Sequence, residues 1–100
     1  MISVVAILTA KPGQAPTLLA AIQANLEAVR AETGCIEYGP AQDAPFSPAK
    51  FGADSVIVLE KWASPEALAA HGKAPHMASF SASIRDILAG RPSIHVLAPA

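Results

Sequence analysis

The spacing of apolar residues changes several times along the chain, and each change marks a predicted element. Residues 2–9 are apolar and rich in β-branched side chains, which predicts a strand. From about Pro16 to Thr33 apolar residues recur every three or four positions, which predicts a helix. Pro16 suits its first turn and Gly34 suits its end. The apolar positions of this helix are Leu19, Ile22, Leu26 and Val29.

The middle of the chain contains two further predicted strands. Residues 35–43 (CIEYGPAQD) predict a short strand, and residues 55–62 (SVIVLEKW) predict the clearest strand in the protein. Residues 44–54 between them contain two prolines and a glycine. This composition predicts a long loop.

The last third of the chain predicts an interrupted helix and a final strand. Ser64 and Pro65 supply an N-cap and a first helical residue for a helix that runs to about residue 71. A glycine and a proline then interrupt the helix, and a second helical piece covers about residues 76–89. Residues 93–99 (SIHVLAP) predict the last strand.

The predicted order, β-α-β-β-α-β, is the signature of an α+β ferredoxin-like fold. A length of 100 residues suits one domain that spans residues 1–100. Strands 2–9 and 55–62 are apolar on both faces, although two helices can cover only one face of a sheet. We therefore expect a homodimer in which two sheets pack face to face.

Composition excludes several classes of partner. The chain is 52% hydrophobic and 15% charged, with a formal net charge of -1 and no basic run, so nucleic acid is not expected. The single cysteine, Cys35, cannot form an intrachain disulfide, which fits a reducing compartment. No apolar stretch approaches the roughly 20 residues of a membrane span. We expect a soluble, cytoplasmic protein that does not bind membranes.

Two histidines lie close together in the interrupted helix. His71 and His76 are five residues apart, which is about 140° around a continuous helix, whereas metal-binding pairs are spaced three or four apart. No nearby Cys or Asp completes a ligand set, so we predict no metal, although the break at Pro75 leaves a shared site open. His71 alone fits a helix-end residue that caps carbonyls, or a general base.

Three further side chains carry candidate chemistry. Trp62 fits either the core or a pocket wall. Glu60 shares its strand face with Trp62, so it is expected to be buried and to need a partner. A Lys or Arg from across the sheet or the dimer is the favoured partner, ahead of a catalytic role. Tyr38 offers a phenol for a hydrogen bond. The chain lacks a phosphate-binding glycine loop and a dinucleotide fingerprint.

Four segments together resemble the antibiotic-biosynthesis monooxygenase family. They are KPGQ, ETGCIEYGPAQD, FGADSVIVLEKW and LAAHGKAPHM, and the resemblance covers nearly the whole chain. Within the family the chain is most similar to bacterial quinol monooxygenases that oxidise menadiol. The resemblance implies a ferredoxin-like monomer, a dimeric α+β barrel and a pocket between sheet and helices. It also implies oxidation of a quinol-type aromatic substrate by oxygen without flavin, haem or metal.

The resemblance also implies roles for individual residues. The family's Trp and His positions fall on Trp62 and His71, and its Pro-His pair falls on Pro75 and His76. His71 is then the catalytic base, because a deprotonated quinol is a far better reductant of oxygen. Tyr38 or His76 hydrogen-bonds a substrate oxygen. The other predicted substrate contacts are Trp62, Met77 and Phe80 in the pocket, and Phe46 and Phe51 in the 44–54 loop, which acts as a lid.

Two alternative functions remain open from the sequence. A related branch of the same superfamily isomerises a phosphorylated quorum-signal sugar derivative and shares a similar AH…PH stretch. A non-catalytic dimer that binds aromatic ligands is the other alternative. Turnover distinguishes an enzyme from a binding protein, and oxygen uptake distinguishes a monooxygenase from an isomerase.

Overall fold

One antiparallel sheet with three helices forms the fold. The computed structural model describes residues 1–100. Its elements are β1 (Ile2–Thr9), α1 (Ala15–Arg30), β2 (Cys35–Ala41), β3 (Ser55–Trp62), α2 (Pro65–Gly72), α3 (Pro75–Ile84) and β4 (Ser93–Leu97). The strand order across the sheet is β2-β3-β1-β4. This arrangement confirms the predicted α+β, ferredoxin-like fold.

Local sequence signals explain most element boundaries. The Ser64 side chain accepts a hydrogen bond from the Ala67 N–H at 3.1 Å and so caps α2, which begins at Pro65 as expected. Helix α1 ends at Arg30, ahead of the predicted end, and residues 31–34 form a turn into β2. Gly34 has a φ of 84°, and a Cβ there would lie 2.5 Å from the Cβ of Ala67. Glycine therefore lets this turn approach α2 closely.

Helix α3 is shorter than the sequence predicts. It ends at Ile84, whereas the expected helical piece reached residue 89. The Ala89 N–H bonds the Thr9 carbonyl, and Leu88 forms an isolated bridge with Ala10. The end of β1 thus competes for the backbone groups that would otherwise continue the helix.

The two faces of the sheet differ in what covers them. Helices pack on one face, where the core consists mainly of Val4, Ala6, Leu8, Val56, Val58 and Trp62 from the sheet with Leu18, Ile22 and Val29 from α1. No helix covers the opposite face, which carries Val5 and Ile7 of β1 beside Leu59 and Leu97. Leu59 is 42% exposed and Leu97 is 50% exposed. None of the helices combines the length and apolar character needed to cross a membrane.

We propose that this uncovered apolar face joins two copies of the chain. Sedimentation at micromolar concentration should then give about twice the chain mass of 10.2 kDa. Leu59→Lys places a charge in the contact and should shift the protein to monomer, because burying an unpaired charge is costly. Gln23→Lys adds the same charge on the exposed side of α1 and should leave the mass unchanged. A folded wild-type monomer would contradict the proposal.

Candidate active site

A cavity of about 400 Å³ lies between the sheet and helices α2 and α3. Its floor is formed by Val4, Ala6 and Val58 of the sheet, and most of its lining is apolar. Met77 and Phe80 of α3, two of the predicted substrate contacts, form a wall of it. The volume lies in the range that small-molecule sites occupy.

Three polar side chains from three elements meet at one end of this cavity. Tyr38 of β2 and Glu60 of β3 are register partners, so both side chains project from the helix-covered face. His71 comes from the last turn of α2, and its ring centroid lies 5.7 Å from that of Tyr38. The Arg30 Nε donates to the Tyr38 carbonyl at 2.9 Å, which ties this part of β2 to α1. We refer to Tyr38, Glu60 and His71 as the polar end.

Glu32 joins the two histidines. Its Oε2 lies 2.9 Å from the Nδ1 of His71 and 2.8 Å from the Nε2 of His76. An ionised carboxylate only accepts hydrogen bonds, so each of these ring nitrogens carries the proton. The Nε2 of a neutral His71 is then an acceptor. A carboxylate that fixes the tautomer of a histidine in this way is typical of general bases.

Glu32 was not among the residues singled out from the sequence. It follows the C-terminus of α1, where the helix dipole disfavours a negative charge. A cationic or hydrogen-donating partner elsewhere in the fold can offset this unfavourable position. The two histidines are 39 and 44 residues away along the chain, so spacing alone did not reveal them.

Trp62 contacts two side chains of the polar end from outside the cavity. Its side chain is fully buried, outside the cavity lining, and its ring lies 4.6 Å from that of His71. The indole Nε1 donates to the Oε1 of Glu60 at 3.0 Å. The sequence favoured a Lys or Arg partner for Glu60, and that prediction is wrong within the chain, since the buried carboxyl is paired with an indole instead.

Burial shifts the pKa values of Glu60 and Tyr38. Burial raises the pKa of Glu60, although the Trp62 hydrogen bond and nearby His71 oppose the rise. Burial also raises the pKa of Tyr38 far above its ordinary value, and the charges of Glu60 and Glu32 add to this effect. Tyr38 therefore keeps its proton and acts as a donor. Burial likewise raises the pKa of the Cys35 thiol, which disfavours a reactive thiolate.

Three polar atoms are left without a partner in the chain: the Tyr38 hydroxyl, the Oε2 of Glu60 and the Nε2 of His71. Every fully enclosed side-chain nitrogen or oxygen has a hydrogen-bond partner. The three unbonded atoms are therefore open to the cavity that their residues line. A ligand there meets one donor, from Tyr38, and two acceptors.

The structure does not bring four of the predicted substrate contacts to the cavity. Trp62 is fully buried behind it and not in its lining, so its prediction as a substrate contact is corrected. His76 is bound to Glu32 and does not line the cavity. Phe46 and Phe51 lie in a separate hollow with Ala41 and Ile57. The Asp43 carboxylate accepts the N–H groups of residues 51 and 52 at 3.0 and 2.8 Å, which holds their loop in place.

The two histidines and Glu32 do not form a metal-ligand set, and no group of three His, Cys, Asp or Glu residues is arranged to hold a metal ion. His71 and His76 are instead joined by hydrogen bonds to one carboxylate.

Comparison with known proteins places this chain in a family. The model of the antibiotic biosynthesis monooxygenase family matches residues 1–83, which include the polar end and both histidines. The chain belongs to the antibiotic biosynthesis monooxygenase family. This membership supports a monooxygenase-type function, and it confirms the resemblance found in the sequence.

Three individual proteins are similar to this chain over almost its full length. The probable quinol monooxygenase YgiN of Escherichia coli K12 is 32% identical over 104 residues, which cover 99% of this chain and 98% of YgiN. The structure of Rv0793 from Mycobacterium tuberculosis has a TM-score of 0.84 and 26% identity, covering 99% of this chain and 94% of its own. PA3566 from Pseudomonas aeruginosa has a TM-score of 0.82 and 27% identity, and the match covers 99% of this chain and 93% of PA3566.

We expect the free energy of unfolding of Glu60→Gln, relative to that of the wild-type protein, to increase as pH rises. Burial raises the pKa of Glu60 in the folded state, so protonation of Glu60 stabilises the folded protein. This contribution is fully present below pH 4.5, which is the ordinary pKa of the side chain. That contribution is lost as pH rises through the pKa of Glu60 in the folded state. A Gln side chain stays neutral, so the variant does not lose this stability. Urea unfolding at pH 4, 6 and 8, at one protein concentration, measures the difference.

Glu27→Gln is the matched control, because Glu27 is exposed on α1 and the substitution removes the same charge. Its free energy of unfolding relative to wild type should not follow the same trend. A Glu60→Gln variant that loses stability relative to wild type between pH 4 and pH 8 would contradict the account of Glu60.

Proposed function

We propose that the protein is a cofactor-independent monooxygenase that oxidises a quinol or a similar hydroxylated aromatic compound with molecular oxygen. The observation that carries the proposal is the Nε2 of His71, oriented by Glu32 and open to an apolar cavity. The name of the relative YgiN, probable quinol monooxygenase, supports the same substrate class. We also propose that the chain works as a homodimeric, single-domain cytoplasmic protein.

The proposed reaction begins with a proton transfer to His71. A quinol hydroxyl has a pKa near 10, so it reduces oxygen poorly until a base removes its proton. A positioned base contributes a factor of roughly 10² to 10⁴ to such a step. The anion passes one electron to oxygen, and the two resulting radicals join at a ring carbon that carries hydrogen.

The rest of the reaction needs no outside reductant. The proton held by His71 returns to the peroxide, and the O–O bond breaks as water leaves with the hydrogen of that ring carbon. One oxygen atom stays on the ring, so a quinol and oxygen give a hydroxyquinone and water. The ring supplies all four electrons that the oxygen molecule accepts, which is why the residues present suffice.

The other residues of the site support this proton transfer. Tyr38 keeps its proton and donates a hydrogen bond to a substrate oxygen. Met77 and Phe80 supply apolar walls that hold an aromatic ring and exclude water. Trp62 packs on His71, and His76 takes a supporting role through its bond to Glu32.

The isomerase alternative fits the cavity less well. A phosphorylated substrate carries negative charge, and the polar end holds the carboxyl of Glu60 with Glu32 behind His71. The only lysine in the cavity lining is Lys73, which is exposed. A neutral hydroxylated ring avoids this repulsion.

His71→Ala should lower kcat by at least about 10²-fold, the lower end of the contribution of a positioned base. The wild-type rate should rise with pH, since only the neutral ring of His71 accepts a proton. Oxygen uptake with menadiol or a related quinol, corrected for autoxidation, measures the rate. Product labelling with ¹⁸O₂ identifies oxygen insertion.

His95→Ala is the control for the loss of a histidine, because His95 lies in β4 outside the cavity lining. Circular dichroism and sedimentation establish that both variants keep fold and assembly. A folded His71→Ala protein with near wild-type kcat would reject His71 as the base. A wild-type protein that binds quinols without oxygen uptake would favour the ligand-binding alternative.

Glu32→Gln should lower kcat by at least about tenfold and change KM much less. The Gln amide can donate to Nδ1, which favours the tautomer whose Nε2 carries the proton and cannot act as a base. A purely structural role for Glu32 would leave the pH dependence of the remaining activity unchanged. Glu27→Gln removes an exposed carboxylate on α1 and should behave as wild type. A wild-type pH–rate profile in Glu32→Gln would contradict this role.

A further inference from the structure

We propose that the polar end binds the reduced, hydroxyl-bearing form of its substrate in preference to the oxidised, carbonyl form, and that Glu60 sets this preference. The inference rests on the proposed function, because it takes the ligand to be a quinol-type ring. It assigns a task to a buried carboxyl that the proton transfer through His71 does not use.

Glu60 can accept a hydrogen bond from a donor in the cavity. Its exposure is only 7%, and no Lys or Arg forms an ion pair with it. One carboxyl oxygen, Oε1, accepts from the Trp62 indole, and the other has no partner in the chain. Because no fully enclosed polar atom lacks a partner, Oε2 faces the cavity. A buried carboxylate oxygen left unpaired is costly, so a ligand hydroxyl is favoured there.

The balance of donors and acceptors distinguishes the two redox forms. His71 offers Nε2 as an acceptor because its Nδ1 donates to Glu32, and Glu60 offers a second acceptor. A quinol has two O–H donors, one for each acceptor. A quinone has none, so at least one of its carbonyl oxygens has to compete for the single donor, Tyr38. Sites built to pair a hydroxyl discriminate strongly against analogues that lack it.

Titratable groups from several packed elements surround Glu60. Tyr38 faces it from β2, His71 faces it from α2, Glu32 lies behind His71 after α1, and the exposed Lys73 lines the cavity after α2. An ionised Glu60 can only accept, whereas a protonated one can donate to a carbonyl oxygen. Burial raises the pKa of Glu60, so the preference for the reduced form should be strongest at alkaline pH.

The preference has a consequence for turnover. The hydroxyquinone product has at most one hydroxyl donor where the quinol has two. It therefore satisfies at least one acceptor fewer at the polar end and is held more weakly than the substrate. Product release is thereby favoured in the presence of fresh quinol.

The test is equilibrium dialysis without oxygen at pH 8, using 2,3-dimethyl-1,4-naphthoquinone and its reduced diol. Both ring positions next to the oxygens carry methyl groups, which prevents addition of the Cys35 thiol. Wild-type protein should bind the diol at least about tenfold more tightly than the quinone. Glu60→Gln can donate its amide N–H to a carbonyl oxygen, and the ratio of the two dissociation constants should fall towards one.

Two further variants make the test decisive. Glu60→Asp keeps an acceptor-only side chain and should still prefer the diol, which separates hydrogen bonding from general damage to the site. Glu27→Gln removes an exposed carboxylate and should keep the wild-type ratio. Circular dichroism establishes that each variant is folded.

Each outcome bears on a defined claim. Equal binding of diol and quinone by wild type, or an unchanged ratio in Glu60→Gln, would overturn the inference even if the enzyme turns quinols over. A clear preference for the diol without oxygen uptake would support the inference and reject the proposed monooxygenase. Failure of wild type to bind either compound would overturn the inference, whereas the proposed function is rejected only by the absence of oxygen uptake with menadiol and related quinols.

Discussion

The carboxylate of Glu32 is the contact on which the rest of the site depends. It lies just after the end of α1 and accepts N–H groups from His71 in α2 and His76 at the start of α3. Its side chain is only 13% exposed, and a helix C-terminus disfavours its charge. Two imidazole donors offset these costs. Removing either donor leaves a buried carboxylate less well compensated, so the three helices are held in one arrangement.

Breaks in regular structure bring these residues together. Gly34 has a positive φ, and its missing Cβ allows the turn after α1 to approach Ala67 of α2. That approach places Glu32 beside the end of α2. Pro75 interrupts the helical run and starts α3, so His76 no longer follows the rotation of the preceding helix. A continuous helix would have pointed the two histidines about 140° apart.

The polar end combines rigid support with unpaired atoms. Trp62 is fully buried, packs on the His71 ring and donates to Glu60, so one side chain positions two others. Tyr38, Glu60 and His71 nevertheless each keep a polar atom open to the cavity. Buried polar groups are normally paired within a protein, and such a cluster beside an apolar cavity is typical of a ligand site.

The sequence by itself determined the fold. Strands β1 and β3 begin and end where their apolar runs predicted, and the Ser64-Pro65 cap starts α2, because these signals depend on neighbouring residues. Only the tertiary structure decided the partners of the charged groups. Glu32 meets His71 across 39 positions, and Glu60 pairs with an indole rather than a cation. Local periodicity carries no information on such contacts, since they depend on how helices pack on the sheet. For the same reason Phe46 and Phe51, predicted as a lid, lie in a separate hollow.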